Sequence, residues 1–354
     1  MTSRERIRLT LRHQEPDRIP MAEICFWPET TERWHQEGLP EDKSPADYFG
    51  LDQFASNGAD CSLRLPVEVL EECDEWKLER DADGATHKIW KNAYAPPSEV
   101  DNLLKTRADW DQVKARLTPD DSRMAETLPD YYRTAAANGN FSTFNPTEPL
   151  WWALRAVGME HALVAMAEEP SWIEEMVEAQ TELSLALVRQ LLATGVVPDA
   201  MWFFSDLCYR NGMFFSPRFY REHILRYHRR FADLCHEHDM FLILHCCGDA
   251  RALIPLLIEA GFDCIQPLEA RAGNDVRELK PLYGDRITLF GNTNMDVLAR
   301  GDREEITHEV VTKVEAAKVG GGYIYHSDHS VPPTVSFESY GLAVELAREH
   351  GVYA

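Results

Sequence analysis

The sequence predicts an α/β fold, a (β/α)8 TIM barrel with a helical and β-hairpin addition near its N-terminus. Short apolar segments alternate with helical ones from residue 140 onward, and repeated strand–helix units imply a parallel sheet with crossover helices. Polar residues follow the apolar segments, as they do at the carboxyl-terminal face of such a barrel. A doubly wound open sheet is the alternative fold, but its usual Gly-x-Gly-x-x-Gly signature is absent after the first strand.

The first 135 residues are predicted to combine one barrel strand with the N-terminal addition. Capping residues and amphipathic spacing indicate the helices, and alternating apolar residues beside a turn signal indicate the hairpin. In chain order we expect a helix over 3–13 capped by Ser3, a strand over 19–24, hairpin strands over 61–65 and 86–90 with a turn at 81–84, and a polar helix over 101–127.

The remaining chain supplies most of the barrel. The predicted strands cover 140–144, 200–204, 240–245, 263–266, 287–290 and 323–325, and the predicted helices cover 149–167, 170–194, 217–238, 250–260, 273–283, 303–318 and 336–350. With the strand near residue 19 this gives seven strands, and one more near 53–65 would close the barrel. We see no internal repeat and no linker, so residues 1–354 are expected to form a single domain.

The composition disfavours several classes of protein. A net charge of −23 argues against a nucleic-acid partner and against binding to an anionic membrane surface. No segment approaches the ~18 apolar residues of a membrane span, and the eight cysteines show no disulfide-framework spacing. We therefore expect a cytoplasmic protein with no membrane partner; its oligomeric state stays open, with a homodimer among the alternatives.

The most informative motif is the histidine–cysteine pair at the end of the predicted strand over 240–245. Residues i and i+2 of a strand lie on the same face, so His245 and Cys247 can reach one point while Cys246 points into packing. Imidazole and thiolate are a zinc-type pair of ligands. A catalytic zinc usually takes three protein ligands, and the third is open among His329, Asp328, His326 and Glu269.

Other polar or aromatic residues follow predicted strand ends and are candidates for the same site: Trp151, Asp206, Tyr209, Glu269, Asn292, Asn294, His326, Asp328 and His329. Each has a structural alternative. Asp206 and Asn292 are residue types that commonly cap helices or turns. For Glu269 the alternative is a solvated carboxylate in a loop. For His326 taken alone, and for Trp151, a satisfied core side chain is the favoured alternative.

The chain resembles the uroporphyrinogen decarboxylase superfamily, which also contains zinc- and cobalamin-dependent methyltransferases. The resemblance is carried by segments at 4–6, 15–20, 151–160, 216–219, 245–248, 267–269, 283–286, 291–294, 320–323 and 331–333. It implies a (β/α)8 barrel with its site at the carboxyl-terminal face.

Two motifs separate the branches of that superfamily. The decarboxylases carry an early Arg-Gln-Ala-Gly-Arg-Tyr run that holds substrate carboxylates, whereas the matching segment here, 21–27, has no arginine. The methyltransferases carry His-x-Cys-Gly, matched at 245–248, and a later zinc-binding cysteine, where His329 stands in this sequence. The resemblance therefore implies a methyltransferase with Zn²⁺ held by His245, Cys247 and His329.

This resemblance also implies a partner and a substrate. The methyl group would be exchanged between a small molecule, with a methoxylated compound favoured by a one-sulfur site, and a corrinoid (cobalamin) on a partner protein, because the chain has no Asp-x-His-x-x-Gly motif of its own. Asp206, Glu269 and Asp328 are the expected catalytic residues, and Trp151, Tyr209, Asn292, Asn294 and His326 the expected substrate-binding residues. The alternatives are a metal-free decarboxylase or lyase, and a barrel kept only as a binding subunit.

Overall fold

The structure is a computed structural model that describes residues 1–91 and 97–353. Its strands are β1 (Phe54–Asn57), β2 (Glu68–Glu72), β3 (Trp76–Arg80), β4 (Ala85–Trp90), β5 (Ser98–Asn102), β6 (Phe141–Phe144), β7 (Ala200–Phe204), β8 (Cys208–Tyr209), β9 (Gly212–Met213), β10 (Phe241–Cys246), β11 (Cys264–Pro267), β12 (Thr288–Phe290) and β13 (Tyr323–Ile324).

Its α-helices are α1 (Ser3–Leu11), α2 (Pro28–Glu37), α3 (Pro45–Tyr48), α4 (Arg107–Val113), α5 (Leu128–Ala137), α6 (Pro149–Val157), α7 (Met159–Glu168), α8 (Pro170–Ala193), α9 (Pro217–Phe219), α10 (Leu225–Glu237), α11 (Ile254–Ala260), α12 (Val276–Tyr283), α13 (Met295–Arg300), α14 (Arg303–Lys318) and α15 (Phe337–His350). None of the helices in the described ranges has both the length and the apolar character needed to cross a bilayer.

The parallel strands follow one another around a curled sheet in the order β1-β6-β7-β10-β11-β12-β13. Residues 20–22 take the remaining place, because the Ala22 amide donates to the Tyr325 carbonyl at 3.1 Å and the Tyr325 amide donates to Pro20 at 2.9 Å. On their other side the Asp52 amide donates to the Met21 carbonyl at 2.6 Å. The predicted (β/α)8 architecture is confirmed, with its first strand reduced to a short bridging segment.

Strand alternation divides the core into two layers. Phe141, Trp202, Ile243 and Phe290 pack inside the barrel, whereas the neighbouring residues of the same strands, such as Phe203, pack outward against the helices. Helix α1 covers the amino-terminal end of the barrel with side chains such as Ile7 and Leu11. The opposite end, where the strands finish, is left for polar side chains.

Buried ion pairs fix α1 to the barrel. Arg6 and Arg18 bind the buried carboxylate of Asp52 at 2.5 and 2.9 Å, and Arg4 and Arg8 bind that of Asp199 at 2.9 and 2.8 Å. These contacts account for the arginines of the segments at 4–6 and 15–20, which hold the amino-terminal end of the barrel.

The first helix begins at Ser3 as predicted, but its N-cap lies one residue earlier than expected and it ends at Leu11. Thr2, rather than Ser3, is the N-cap, because Glu5 lies three residues beyond it and completes a capping box with its hydroxyl and amide. Ser3 instead accepts the Gln53 amide at 3.0 Å, so its hydroxyl joins the helix to the start of β1.

Two further N-terminal predictions were wrong. The turn at 81–84 is present but joins β3 to β4 in a four-stranded antiparallel sheet, while 61–65 is not a strand because Arg64 adopts a positive φ of 52°. The segment 101–127 is not one helix: its start belongs to β5 and α4 ends at Val113. Pro119, which lacks an N–H group, lies between two short 3-10 turns that follow.

Candidate metal centre

The side chains of His245 and Cys247, at the end of β10, point toward each other as strand alternation predicts. Nε2 of His245 lies 3.4 Å from Sγ of Cys247, while Cys246 is fully buried and belongs to the outer core. Neighbouring strand ends add further donors to this pair. Asp206, after β7, has a carboxylate oxygen within 4.8 Å of both ligand atoms.

A second group of donors shares the same thiol. The ligand atoms of Cys247, Glu269 and His329 also lie within 4.8 Å of one another. These residues follow β10, β11 and β13, whose carboxyl ends meet at the open end of the barrel. The structure therefore brings together five residues singled out from the sequence, with Cys247 common to both groups.

This donor set fits a zinc ion. Tetrahedral zinc with bonds of about 2.3 Å to sulfur and about 2.0 Å to nitrogen separates the two ligand atoms by about 3.5 Å, close to the 3.4 Å between Cys247 and His245. One thiol, two imidazoles and two carboxylates are all zinc-ligand types. Asp206 is grouped with both His245 and Cys247, whereas His329 is grouped with Cys247 and Glu269. His329 as the third ligand beside His245 and Cys247 therefore stays a prediction.

The loop after β10 is held by the same carboxylates. The Cys247 amide donates to Oδ1 of Asp206 at 3.1 Å, and the Gly248 amide donates to Oε2 of Glu269 at 2.9 Å. Gly248 has a φ of 85°, and a Cβ there would lie 2.6 Å from the carbonyl oxygen of Tyr209. The glycine of the motif is therefore required for the thiol to sit where it does.

A chain of hydrogen bonds sets the tautomer of His245. Its Nδ1 lies 2.5 Å from Oε1 of Gln266, and a side-chain amide oxygen only accepts, so Nδ1 carries the proton and Nε2 is free to bind a metal. Nε2 of Gln266 lies 3.2 Å from Nε2 of His326, which also accepts the Ile24 amide at 3.0 Å. The remaining nitrogen of His326, Nδ1, bonds the Ser327 carbonyl.

The hydrogen-bond chain ends at a buried carboxyl group that the sequence analysis did not single out. Oε2 of Glu23 lies 3.3 Å from Nε2 of His326, and Oε1 accepts the Ser327 amide at 3.1 Å and the Tyr340 hydroxyl at 3.0 Å. Burial raises the pKa of Glu23 to about 8 and lowers the pKa of His326 to about 3. Both groups are therefore neutral near pH 7.

Burial also controls the two ligands at the end of β10. It lowers the pKa of His245, which favours the neutral imidazole that binds metals. Burial, followed by the charges of Asp206 and Glu269, raises the pKa of Cys247 well above its ordinary value. A thiolate at this position needs a compensating cation, which is what a metal ion supplies.

Asp328 belongs to neither of the two donor groups. Its Oδ1 accepts the Met295 amide at 3.1 Å, Nε of Arg271 lies 3.6 Å from Oδ2, and burial raises the pKa of its carboxyl group. Oδ2 is buried and has no hydrogen-bond partner within the described residues. Its catalytic role stays a prediction.

The remaining candidates occupy structural positions. Asn292 accepts the Val276 amide and donates to the carbonyls of Leu268 and Asn274, and Asn294 caps α13. Both contacts correspond to the cap-or-turn use of asparagine, so their substrate-binding roles rest on the resemblance alone.

The two aromatic candidates also lie outside the donor cluster. Trp151, in α6, packs against the outer core, and Tyr209, in β8, is 45% exposed and stacks on Phe214. For them too, substrate binding stays a prediction.

The fold and the donor cluster together define a (β/α)8 barrel with a candidate metal centre beyond the carboxyl ends of its strands. The chain belongs to the uroporphyrinogen decarboxylase (URO-D) family, whose model matches residues 146–350. It is 27% identical over 143 residues to a uroporphyrinogen decarboxylase from Pseudoalteromonas translucida (strain TAC 125), covering 38% of each chain. A second, from Methylococcus capsulatus, is 25% identical over 194 residues, covering 52% of this chain and 50% of the relative.

The match thus spans half or less of the length of these curated relatives. Over its whole length the fold is similar to that of a methyltransferase from Methanosarcina mazei, with a TM-score of 0.67, 15% identity, and 99% of this chain and 98% of that chain covered. At this identity the likeness concerns the fold.

Proposed function

We propose that this protein is a zinc-dependent methyltransferase that exchanges a methyl group between a small, methoxylated compound and a corrinoid carried by a partner protein. The observation that supports it most is the convergence of Nε2 of His245 and Sγ of Cys247 at 3.4 Å, with His329 within reach of the same thiol. The similarity in fold to a methyltransferase agrees with this proposal.

His245, Cys247 and His329 would hold the zinc ion. When bound, zinc supplies Lewis acidity toward the heteroatom that carries the methyl group. Gln266 orients the His245 ring, and Asp206 and Glu269 hold the backbone of the loop that carries Cys247. Both carboxylates therefore lie where they can also accept a hydrogen bond from a substrate hydroxyl group.

Asp328 is the proposed proton donor to the leaving oxygen. Burial raises the pKa of its carboxyl group, so this acid keeps its proton closer to neutral pH than a solvated aspartate does, which suits a general acid. The site opens at the carboxyl-terminal face of the barrel, where a separate corrinoid protein can approach it.

A metal-free decarboxylase is the alternative, favoured by the names of the curated relatives. A substrate with several carboxylates needs cations at its site. Two cations near these carboxylates are already engaged: Arg271 lies near Asp296, and Lys313 binds Glu309. The acidic surroundings therefore favour the methyltransferase.

Metal analysis of the purified full-length chain tests the proposal. We expect about one zinc ion per chain in the wild type and almost none in a variant that combines His245→Ala with Cys247→Ala. Cys73→Ser is the matched control, since Cys73 is an exposed thiol in the turn between β2 and β3. Absence of zinc from gently prepared wild type, or zinc without methyl transfer from any methoxylated donor to cob(I)alamin, would reject the proposal.

A further inference from the structure

A cavity of about 530 Å³ opens inside the barrel between residues 22–25 and β1. Four aromatic rings form its inner wall, those of Phe54, Trp202, Phe204 and Phe290. Phe204 is 40% exposed although it lies in the barrel sheet. An exposed ring at such a place offers a contact surface to a bound molecule.

The rings of this wall form a continuous layer. Trp202 and Phe204 stack at 5.0 Å with an interplanar angle of 23°, and Phe54 and Phe290 stack at 5.9 Å with an angle of 20°. Because the ring faces cover one another, they do not converge on one point as the aromatic cage for a quaternary ammonium ion requires. The layer is instead suited to a flat ring that packs beside it.

The aromatic layer reaches the candidate metal centre. The Phe204 ring stacks on the imidazole of His245, with centroids 5.3 Å apart and an interplanar angle of 27°. A ring packed beside Phe204 would therefore lie next to a proposed metal ligand. Through this contact the Phe204 wall of the cavity adjoins the donor cluster at the open end of the barrel.

The cavity has little free charge. Its lining carboxyl groups are those of Glu23 and Asp52; Glu23 is hydrogen-bonded by Ser327 and Tyr340, and Asp52 is neutralised by Arg6 and Arg18. Among the described residues that line it there is no lysine, arginine or histidine. An anionic ligand would therefore find no cation, which favours an uncharged one.

We propose that this cavity binds an uncharged monocyclic aromatic ring, and that an oxygen substituent of this ring carries the methyl group. The second half rests on the proposed function. In the reaction the bond between oxygen and methyl carbon breaks, and cobalt(I) of the corrinoid supplies the electron pair of the new cobalt–carbon bond, becoming methylcobalt(III). The oxygen keeps the pair of the broken bond and takes a proton, which leaves a phenol.

Calorimetric titration of the purified full-length protein, without corrinoid, tests the binding. The probes are 1,2-dimethoxybenzene, its saturated analogue 1,2-dimethoxycyclohexane, 4-methoxybenzoate and tetramethylammonium. We expect the uncharged aromatic ring to bind about tenfold more tightly than the other three, since an aromatic ring contact is worth about 1.4 kcal/mol and charge is unmatched.

Phe204→Leu should weaken binding of 1,2-dimethoxybenzene about tenfold, with an unchanged thermal unfolding temperature showing that the fold is kept. Trp90→Leu is the control, since Trp90 is also 40% exposed but lies in β4, outside the cavity. Equal binding of the saturated analogue, tighter binding of tetramethylammonium, or no effect of Phe204→Leu would overturn the inference.

Different experimental outcomes would reject the proposed function and the proposed aromatic binding site. Ring binding by a protein that holds no zinc and transfers no methyl group would reject the proposed function and leave the binding site standing. Zinc-dependent methyl transfer from 1,2-dimethoxycyclohexane, without ring binding, would reject the aromatic site alone.

Discussion

Nδ1 of His245 lies 2.5 Å from Oε1 of Gln266, across the boundary between β10 and β11. The two residues are direct partners in the parallel register of these strands. Their contact leaves Nε2 of His245 facing Cys247 at 3.4 Å. A glutamine that is not itself a proposed metal ligand thereby determines which nitrogen of the histidine is free to bind a metal.

Replacing Gln266 should therefore weaken zinc binding while the fold persists. We expect Gln266→Leu to lower zinc affinity about 10- to 100-fold, the usual effect of losing a partner that orients a metal-binding histidine. Gln266→Glu should keep most of the affinity, because a carboxylate also accepts the Nδ1 proton. Competition with a chromophoric chelator measures the affinity, and spectra of the cobalt(II)-substituted protein report the ligand geometry.

Gln180→Leu is a suitable control for that experiment. Gln180 is also fully buried, but it donates to the Cys61 carbonyl in the outer core. If both leucine variants bind zinc as tightly as the wild type, Gln266 does not position the ligand.

The same contact shows how far the sequence could predict the site. His245 and Cys247 were identifiable because two residues apart on one strand is a local relationship. Gln266 and Glu23 were missed because their roles depend on which strands become neighbours. Gln266 lies two residues after the inward-facing Cys264. Strand alternation could therefore have indicated that its side chain also points into the barrel. For His329, distance to the thiol depends on the path of the loop after β13, which no spacing rule gives.

The fold was predictable for a similar reason. Strands that are continuous apolar segments, such as β7 and β10, were placed nearly to the residue, since burial on both faces requires such segments. The sheet of β2 to β5 was harder, because β2 is fully exposed and carries three glutamates in five residues. Its stability depends on pairing with β3, which composition alone does not reveal.

The raised pKa of Glu23 predicts a pH-dependent stability. Burial raises its pKa from 4.5 to about 8, so between these values the folded chain holds a proton that the unfolded chain has released. The contribution of this group is fully present below about pH 4.5 and is lost as the pH rises through about 8. The slope is at most about 1.4 kcal/mol per pH unit.

Urea unfolding of wild type and Glu23→Gln at pH 5, 6, 7 and 8 measures this effect. Glutamine keeps the acceptor for Ser327 and Tyr340 without a titrating proton. The free energy of unfolding of the wild type should fall relative to that of the variant as the pH rises. A constant difference between the two proteins across this range would show that Glu23 does not titrate there.

A last prediction concerns the glycine that follows β12. Gly291 has a φ of 132°, and a Cβ there would lie 1.8 Å from the carbonyl oxygen of Pro267. The clash would be with backbone atoms that are held on both sides. The Asn292 amide donates to that same oxygen at 3.0 Å, and the Gly291 amide donates to the Ile324 carbonyl at 3.0 Å. No side chain can move aside, so an alanine must displace the end of β11.

Gly291→Ala should therefore cost at least about 4 kcal/mol of unfolding free energy, or prevent folding. Gly195→Ala is the matched control, because Gly195 also has a positive φ, 78°, but a Cβ there meets nothing within 4 Å. It should cost only the conformational strain of about 1–2 kcal/mol. Urea unfolding compares the two, and similar small losses would mean that the barrel end yields easily. Since Glu269 follows Pro267 by two residues, a folded Gly291→Ala protein should also bind zinc more weakly, whereas Gly195→Ala should bind it normally.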